Sequence, residues 1–433
     1  MNSPHDRLVL TRARLPQGDG SASSLMDITV VDGTVTSILP HGQAPSAASE
    51  EFRHDDLDGA LVLAGLVEPH AHLDKALTAA VVPNPAGDLM GAIEAWVAAE
   101  ERGVFDLESM TDRAIDALHR LMANGVTAVR THVNVGASDP DYMHLRAVRA
   151  ARERVGSMVD VQIVALMHSP LAGVDGAPNR EALIGALEIG VDLIGGCPHL
   201  EVDGPGMIAV ACEMALQAGV GLDLHVDETL DPNMLTLRDY CRHVEEMGFS
   251  QPVSASHCVS LSMQPPQVQE DIAALAARSG VAIIALPQTN LFLQGRDHPR
   301  AMPRGITPVE TLHRHGVRVA AGGDNVQDPF NPVGRSDPLE TAALMIMAAH
   351  QSPARALALV SDDARSVLGL PPAGPRVGAV ADLVALPAES LRQAIADAPA
   401  ARRTYRRGRL TAVTEITRTF VGLDPESTGT VGR

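Results

Sequence analysis

The run from Gly65 to Lys75, GLVEPHAHLDK, holds the residues best suited to chemistry in this sequence. Side chains two positions apart in a β-strand point to the same face, so His70 and His72 can bind one metal ion together. Lys75 follows three positions later and is the only lysine in the chain. An ammonium group can titrate when buried, whereas arginine keeps its charge. The sequence therefore predicts a specific role for Lys75; the simple alternative is chance survival in an arginine-rich chain.

Other potential ligands stand at the ends of later apolar runs. His225 ends the fifth run and is followed by Glu228, His257 ends the sixth, and Asp324 follows the eighth. An isolated His-x-His is weak evidence, and each histidine alone could be an ordinary structural residue. Several strand ends that each carry a histidine or an aspartate favour a metal site. Three imidazoles and one carboxylate suit one divalent ion, Zn²⁺ or Fe²⁺, with a position left for water.

These runs alternate with Ala- and Leu-rich segments of helical period, which is the pattern of a βα series. Eight predicted strands indicate an α/β fold, a (β/α)8 TIM barrel, whose active site lies at the carboxyl ends of the strands. The predicted strands are Val62–His70, Val126–Val133, Val159–His168, Val191–His199, Val220–Val226, Val253–Cys258, Val281–Pro287 and Val317–Gly323. The predicted helices include Asp112–Ala123, Asp139–Val155, Arg180–Ile189, Gly206–Ala218 and Gln269–Arg278.

Both ends of the chain have a different pattern, with short strands broken by Gly and Pro. These predicted strands are Arg7–Leu15, Met26–Val31, Thr34–Leu39, Ala381–Pro387, Thr404–Arg409 and Leu410–Val413. Asp32-Gly33 predicts a hairpin turn. We expect a small β-sandwich domain built from residues 1–63 and 372–433, and a barrel formed by residues 64–371. Ser46–Asp58 is predicted to be a polar connection and Gly422–Arg433 a loose terminus.

Composition narrows the function further. The formal net charge of -19 argues against nucleic acid as a partner, because such binding needs concentrated Lys and Arg. The four cysteines have no CxxC spacing and are expected to be reduced. No leader-like or membrane-spanning apolar segment is evident, so we expect a soluble, cytoplasmic protein that does not bind membranes.

A set of motifs extends from about Gly65 to Gly334. They are VEPHAHLD (Val67–Asp74), RTHV (Arg130–Val133), QIVA (Gln162–Ala165), HVDE (His225–Glu228), ASH (Ala255–His257), LQGR (Leu293–Arg296), RGIT (Arg304–Thr307) and GDN (Gly323–Asn325). Together they resemble the amidohydrolase superfamily, and within it the bacterial cytosine deaminase group, which also contains N-isopropylammelide isopropylamidohydrolase. The stretch GAVADLV (Gly378–Val384) is similar to the family's return into its β-sandwich.

The resemblance implies a mononuclear centre whose ligands are His70, His72, His225 and Asp324. Binuclear members bridge two metals through a carboxylated lysine on the fourth strand. The run Val191–His199 contains no lysine, which excludes such a bridge.

The resemblance also implies hydrolysis at a ring carbon, with release of ammonia or an alkylamine from a cytosine-like pyrimidine or a hydroxy-aminotriazine. The metal would lower the pKa of water toward ~7, and Asp324 would accept its proton. Glu228 would carry a proton to the ring nitrogen and then to the leaving amine, while His257 would orient the hydroxide and stabilise the oxygen of the intermediate. A His-x-x-Glu pair marks deaminases in the family, although alone it is common in solvated helices.

Four substrate-binding positions are expected: Lys75, His168, Asn325 and Phe330. Cytosine deaminase is expected to have a small hydroxyl residue, Gln, Asp and Trp there. Asparagine both donates and accepts hydrogen bonds, so the ring edge it binds differs from that of cytosine. Lys75 suits an anionic or carbonyl-rich ring and, with Asn325, is more similar to the isopropylammelide enzyme. The alternatives are a structural histidine at His168 and a packing residue at Phe330.

The other polar residues are expected to have supporting roles. His132 is predicted to stabilise the metal ligands by hydrogen bonding, and Asp74 to be structural. The histidines predicted to lie at the surface include His119, His144, His243, His298, His313 and His315.

Two other functions stay open. Hydrolysis of a cyclic amide or imide in the same superfamily would open a ring instead of releasing an amine. A binding or scaffold protein is disfavoured, because every ligand and both proton-handling residues are present. The donor set suits Zn²⁺ and Fe²⁺ equally, and a homo-oligomer is expected by analogy alone.

Overall fold

The computed structural model describes residues 7–45 and 51–420 of the 433-residue chain. The strands are β1 (Arg7–Ala13), β2 (Met26–Val31), β3 (Thr34–Pro40), β4 (Arg53–Asp56), β5 (Leu61–Ala64), β6 (Leu66–Ala71), β7 (Val126–Val135), β8 (Asp160–Met167), β9 (Leu193–Gly195), β10 (Gly221–Val226), β11 (Val253–His257), β12 (Ala282–Ala285), β13 (Val319–Ala321), β14 (Leu383–Leu386), β15 (Arg402–Arg406) and β16 (Arg409–Thr414).

The helices alternate with the strands through the middle of the chain. They are α1 (Leu89–Glu101), α2 (Leu107–Ala123), α3 (Met143–Val155), α4 (Ala177–Ile189), α5 (Gly204–Ala218), α6 (Thr236–Met247), α7 (Pro266–Ser279), α8 (Pro287–Leu293), α9 (Val309–Arg314), α10 (Pro338–Ala349), α11 (Pro353–Leu359), α12 (Asp362–Val367) and α13 (Leu391–Asp397). The described chain divides into two compact units. One comprises the described parts of Met1–Gly65, Ala123–Gly125 and Ala373–Arg433, and the other comprises Leu66–Met122 and Val126–Pro372.

The larger unit contains an eight-stranded sheet in which β6 to β13 lie in sequence order. The sheet closes where Ala71 and Asp324 form a parallel bridge, and the Asp324 N–H donates to the His70 carbonyl at 3.1 Å. The strands are almost wholly buried because helices cover the outside and side chains fill the interior. The predicted (β/α)8 barrel is confirmed.

Two glycines allow the last strand to approach the first. The Gly323 N–H donates to both oxygens of the Glu68 carboxyl group, at 2.9 and 3.1 Å. A Cβ atom on Gly322 would lie 2.5 Å from Glu68 Oε1, so a larger residue would push the strands apart. Burial raises the pKa of Glu68 to about 8. This close packing places Asp324 beside the end of β6.

The first and fourth strands differ from their predicted bounds. The predicted strand Val62–His70 is two strands, since β5 pairs with β14 and β6 pairs with β7. Gly65 lies between them and donates its N–H to the Asp382 carbonyl. The predicted strand Val191–His199 is limited to β9, because a short 3₁₀ turn begins at Pro198, which has no N–H to donate to a ladder.

The smaller unit consists of two four-stranded sheets, in the orders β3-β2-β1-β4 and β16-β15-β14-β5. Residues from both sheets share one apolar core: Leu8, Leu10, Ala13, Ile28, Val30, Val35, Leu57, Val62, Ala381, Leu383, Ala385 and Tyr405. Asp32 and Gly33 both have positive φ and join β2 to β3, as the two-residue hairpin turn requires. The predicted β-sandwich from both chain ends is confirmed.

The predicted polar connection Ser46–Asp58 contains a strand, because β4 adds in parallel to β1 through Leu8↔Arg53 to Thr11↔Asp56. The sequence pattern did not predict this strand because its residues are charged or polar, which an edge strand tolerates. The start of that segment and the whole of Gly422–Arg433 lie outside the described residues. Among the described residues, no helix is both long and apolar enough to cross a bilayer.

Candidate metal and active site

Four side chains from three strand ends converge at the carboxyl end of the barrel. His70 lies in β6 and His72 just after it, His225 lies in β10, and Asp324 follows β13. The Nε2 atoms of His70 and His225 are 3.1 Å apart, and those of His225 and His72 are 3.2 Å apart. Asp324 Oδ1 lies 3.2 Å from His72 Nε2 and 3.6 Å from His70 Nε2. All four side chains are buried.

These spacings fit one metal ion. Donors at about 2.0–2.1 Å around a tetrahedral ion are about 3.3 Å from each other. Both carboxylate oxygens of Asp324 are buried and lack a hydrogen-bond partner within residues 7–45 and 51–420. Burial and the neighbouring imidazoles hold the pKa values of His70 and His225 well below the usual range, so both rings are neutral, as metal ligands must be. A bound cation would compensate this cluster of buried lone pairs.

A hydrogen-bond chain fixes the tautomer of His70. Ser256 Oγ donates to Asp223 Oδ1 at 2.9 Å, so it accepts from His70 Nδ1 at 2.8 Å. The Nε2 atom of His70 therefore carries its lone pair toward the other three donors. Arg130 pairs with Asp223 at 2.8 Å and compensates its charge in the barrel interior. Burial raises the pKa of Asp223, but His132 and Arg130 lower it far below the usual range.

His132 contacts the centre by ring stacking. Its ring centroid is 3.9 Å from that of His70, and within the described ranges neither of its nitrogens has a hydrogen-bond partner. The predicted hydrogen bond from His132 to a ligand is therefore wrong. Ser256, and not His132, is the hydrogen-bond partner of His70 Nδ1. Two other sets of three residues have potential ligand atoms within 4.8 Å of one another. One set is His70, His132 and His225, and the other is His70, His257 and Asp324. The 3.1–3.6 Å separations favour the set that includes His72.

Glu228 and His257 lie beside this cluster. The pKa of Glu228 is raised well above the usual range by burial and by the charge of Asp324, which favours its protonated form. His257 Nδ1 lies 3.0 Å from Asn290 Oδ1 and 3.6 Å from Glu228 Oε1. Burial lowers the pKa of His257, and a neutral ring that donates through Nδ1 leaves Nε2 as an acceptor. The site thus offers a proton donor and a proton acceptor.

Three of the four converging side chains, those of His72, His225 and Asp324, line a cavity of about 430 Å³. Its polar lining consists of His72, Lys75, Glu100, Asn134, His168, Ser169, Cys197, His225, Glu228, His257, Asp324 and Asn325. Its other lining residues are Leu89, Met90, Ile93, Trp96, Val97, Leu166, Met167, Leu200 and Phe330. A cavity lined by both polar and apolar side chains suits a small planar ring that carries polar groups.

Lys75 is buried in this lining. Its Nζ donates to Asn134 Oδ1 at 2.7 Å and pairs with Asp74 Oδ2 at 3.2 Å. The ammonium also lies 5.6 Å from the Trp96 ring centroid, within range of a cation–π interaction. Asp74 Oδ1 lies 3.4 Å from the same Nζ, so the two oxygens of this carboxylate can share one N–H, and the third N–H of the ammonium group is then left for a ligand.

The other predicted substrate residues line the same cavity. Asn325 accepts from Thr289 Oγ1 at 3.2 Å and donates to Asp328 Oδ2 at 2.8 Å, which fixes the amide orientation. His168 Nδ1 lies 3.3 Å from Ser138 Oγ, and burial lowers the pKa of His168. Phe330 is partly exposed.

The sequence matches the profile of the Amidohydrolase family over residues 104–415, which is well over half of the chain. The chain belongs to the amidohydrolase family. This amidohydrolase is 31% identical over 417 residues to a pterin deaminase of Rhizobium rhizogenes, and the alignment covers 93% of each chain. It is 26% identical over 425 residues to N-isopropylammelide isopropyl amidohydrolase of Pseudomonas sp. strain ADP, covering 94% of this chain and 98% of the relative.

A solved structure of 5-methylcytosine deaminase from Klebsiella pneumoniae, liganded with 5-fluorocytosine, superposes with a TM-score of 0.85 at 27% identity and covers 95% of this chain and 99% of that one. These similarities confirm the resemblance to the cytosine deaminase and isopropylammelide group. The protein is a hydrolase that acts on carbon–nitrogen bonds other than peptide bonds.

Part of the amidohydrolase site was missed by sequence reasoning. Helix α1 supplies much of the apolar wall, including Trp96, and it also places Glu100 in the lining. Asn134 accepts a hydrogen bond from Lys75. The stripe of Leu89, Ile93, Trp96 and Val97 at helical spacing was the available signal. His144 was predicted at the surface but is buried, because two carboxylates surround its ring.

Proposed function

We propose that this amidohydrolase releases ammonia or an alkylamine by hydrolysis from a small oxo- and amino-substituted N-heterocycle, using one divalent ion, Zn²⁺ or Fe²⁺. The observation that carries the proposal is the convergence of His70, His72, His225 and Asp324 in a cluster that lines a cavity together with the buried Glu228. The relatives named pterin deaminase, 5-methylcytosine deaminase and N-isopropylammelide amidohydrolase support this reaction class.

The donor set suits a metal that is bound by three imidazole nitrogens and one carboxylate. Such an ion, when bound to these residues, would lower the pKa of water toward ~7. Asp324 is the base that accepts the water proton. His257 Nε2, which has no hydrogen-bond partner among the described residues, accepts a hydrogen bond from the nucleophile and orients it.

Glu228 supplies the proton that the ring needs. Attack at the ring carbon places negative charge on the adjacent nitrogen, and the protonated carboxyl group of Glu228 donates to it. The Glu228 carboxylate left by this transfer then takes up the hydroxyl proton of the adduct and passes it to the leaving amine, and the water proton held by Asp324 restores the acid form of Glu228. Without this proton the amine would leave as an anion, which is far less favourable.

Lys75 and Asn325 hold the opposite part of the ring. Asp74 offsets the charge of Lys75, so the remaining N–H is best used as a donor to a neutral carbonyl oxygen. Asn325 donates to or accepts from the next group along the ring, while His168 and Phe330 line the same cavity. This arrangement favours oxo-substituted rings over plain apolar ones.

The decisive experiment measures ammonia and alkylamine release by metal-reconstituted protein from cytosine, 5-methylcytosine, ammelide, N-isopropylammelide and pterin. Chelator-treated protein is the control. Release that requires the metal and is restored by Zn²⁺ or Fe²⁺ is expected for at least one ring. Ring opening of a cyclic amide without amine release would replace the proposal with cyclic amide hydrolysis.

The proposal places the enzyme in the cytoplasm. Consistent with this, none of the four cysteines, all within the described residues, forms a disulfide.

A further inference from the structure

A buried histidine outside the cavity joins two parts of the cavity wall. His144 lies on α3, and its side chain is only 4% exposed. Its Nδ1 is 3.0 Å from Asp74 Oδ2, and its Nε2 is 3.2 Å from Glu100 Oε1. Each ring nitrogen therefore faces a carboxylate. The ring bridges the segment after β6 to helix α1.

Both carboxylates continue to residues that line the cavity. Asp74 pairs with Lys75, whose Nζ is 3.2 Å away. Glu100 Oε1 accepts a hydrogen bond from Trp96 Nε1 at 2.6 Å. Lys75, Trp96 and Glu100 all line the cavity, whereas His144 and Asp74 do not. The bridge thus connects a proposed substrate donor to the helix that forms the apolar wall.

Charges alternate along this chain: Lys75 positive, Asp74 negative, His144 positive and Glu100 negative. Only a protonated imidazole can donate through both nitrogens at once. Burial lowers the pKa of His144, but the two carboxylates outweigh burial and raise the pKa to about 9. A neutral ring would leave one of the two carboxylates without its hydrogen bond from His144. If Nδ1 lost its proton, Asp74 would keep only the Lys75 ammonium group and the Asn134 N–H as donors.

We propose that His144 is a positioning residue, which holds Lys75 and helix α1 in the geometry that binds the heterocycle. The inference rests on the proposed function, because it assigns substrate binding to Lys75. His144 contacts no reacting atom, so its loss weakens substrate binding and leaves the chemical step nearly unchanged. Removing a charge-assisted bridge of this kind raises KM on the order of 10-fold.

The bridge depends on pH with a definite sign. Because the pKa of His144 is raised from 6.5 to about 9, its contribution is complete below pH 6.5 and is lost as pH rises through about 9. The charged and titratable groups around the bridge are Asp74, Lys75, Glu100, Arg113, Asp139 and His168.

The experiment uses the only tryptophan of the chain as a reporter. The Trp96 and His144 ring centroids are 6.1 Å apart, so the emission of Trp96 responds to the charge of His144. We expect the emission of the metal-loaded wild type to change near pH 9. The change should disappear in His144→Gln and persist in Lys75→Met and in His119→Gln, an exposed histidine on α2. With the best substrate of the panel, His144→Gln should raise KM about 10-fold and change kcat less than about 3-fold.

Glu100→Gln tests the bridge from its partly exposed end if His144→Gln does not fold. It removes one carboxylate from His144, so the emission change should move to lower pH and KM should rise. The inference would be overturned if KM and the emission transition were both unchanged in the two variants. If only Glu100→Gln folds, the same result in that variant alone would overturn it. If no heterocycle is turned over, the proposed function fails, and the emission titration alone decides whether the bridge exists.

Discussion

Glu228→Gln should abolish most turnover without removing the metal. Glutamine has nearly the same shape and can donate a hydrogen bond, but it cannot transfer a proton. Loss of a positioned general acid costs ~10²–10⁴-fold in kcat, which corresponds to about 3 to 5 kcal/mol of barrier. The upper part of this range is expected because Glu228 is only 6% exposed, so bulk water has little access to replace it.

The assay combines initial rates of amine release with metal analysis of the same sample. Glu228 is not among the four side chains whose donor atoms converge, so one metal per chain should remain. Glu213→Gln is the matched control, since Glu213 is exposed on α5. A Glu228→Gln enzyme with bound metal and kcat within about 3-fold of wild type would refute the proton-transfer role.

Three further predictions concern the centre and its surroundings. His72→Asn should lose bound metal, while His132→Phe should keep it because the ring still stacks; equal metal content of the two dialysed variants would contradict this ligand assignment. Lys75→Met should raise KM or change the preferred ring, and an unchanged substrate profile would leave Lys75 without the proposed role. Gly334→Ala should lower stability by about 1–3 kcal/mol in denaturant melts and raise KM, since the new Cβ would lie 2.0 Å from the Asn325 carbonyl; unaltered stability would show that the loop relaxes freely.

The predicted parts of the barrel site follow from local patterns. Period-2 placement puts His70 and His72 on one face, and the carboxyl ends of parallel strands lie at one rim of a barrel. Residues at the ends of β6, β10 and β13 must therefore lie near each other, irrespective of the conformation of the connecting loops. The observed 3.1–3.6 Å spacings agree with that expectation.

The sequence alone determined the βα order, the strand-end donors, the solitary lysine and the terminal β-strands, because each is encoded over a few neighbouring residues. Only the tertiary structure decided that Gly65 separates two strands, that β4 joins β1, and that α1 covers the cavity. The same holds for His144, which looks like a surface residue in its helix and becomes buried between Asp74 and Glu100. Those carboxylates are about 70 and 44 positions away in sequence, so no local pattern reports them. The burial and the pKa of a side chain depend on such distant neighbours. Which neighbours it has is decided by how the helices pack around the barrel.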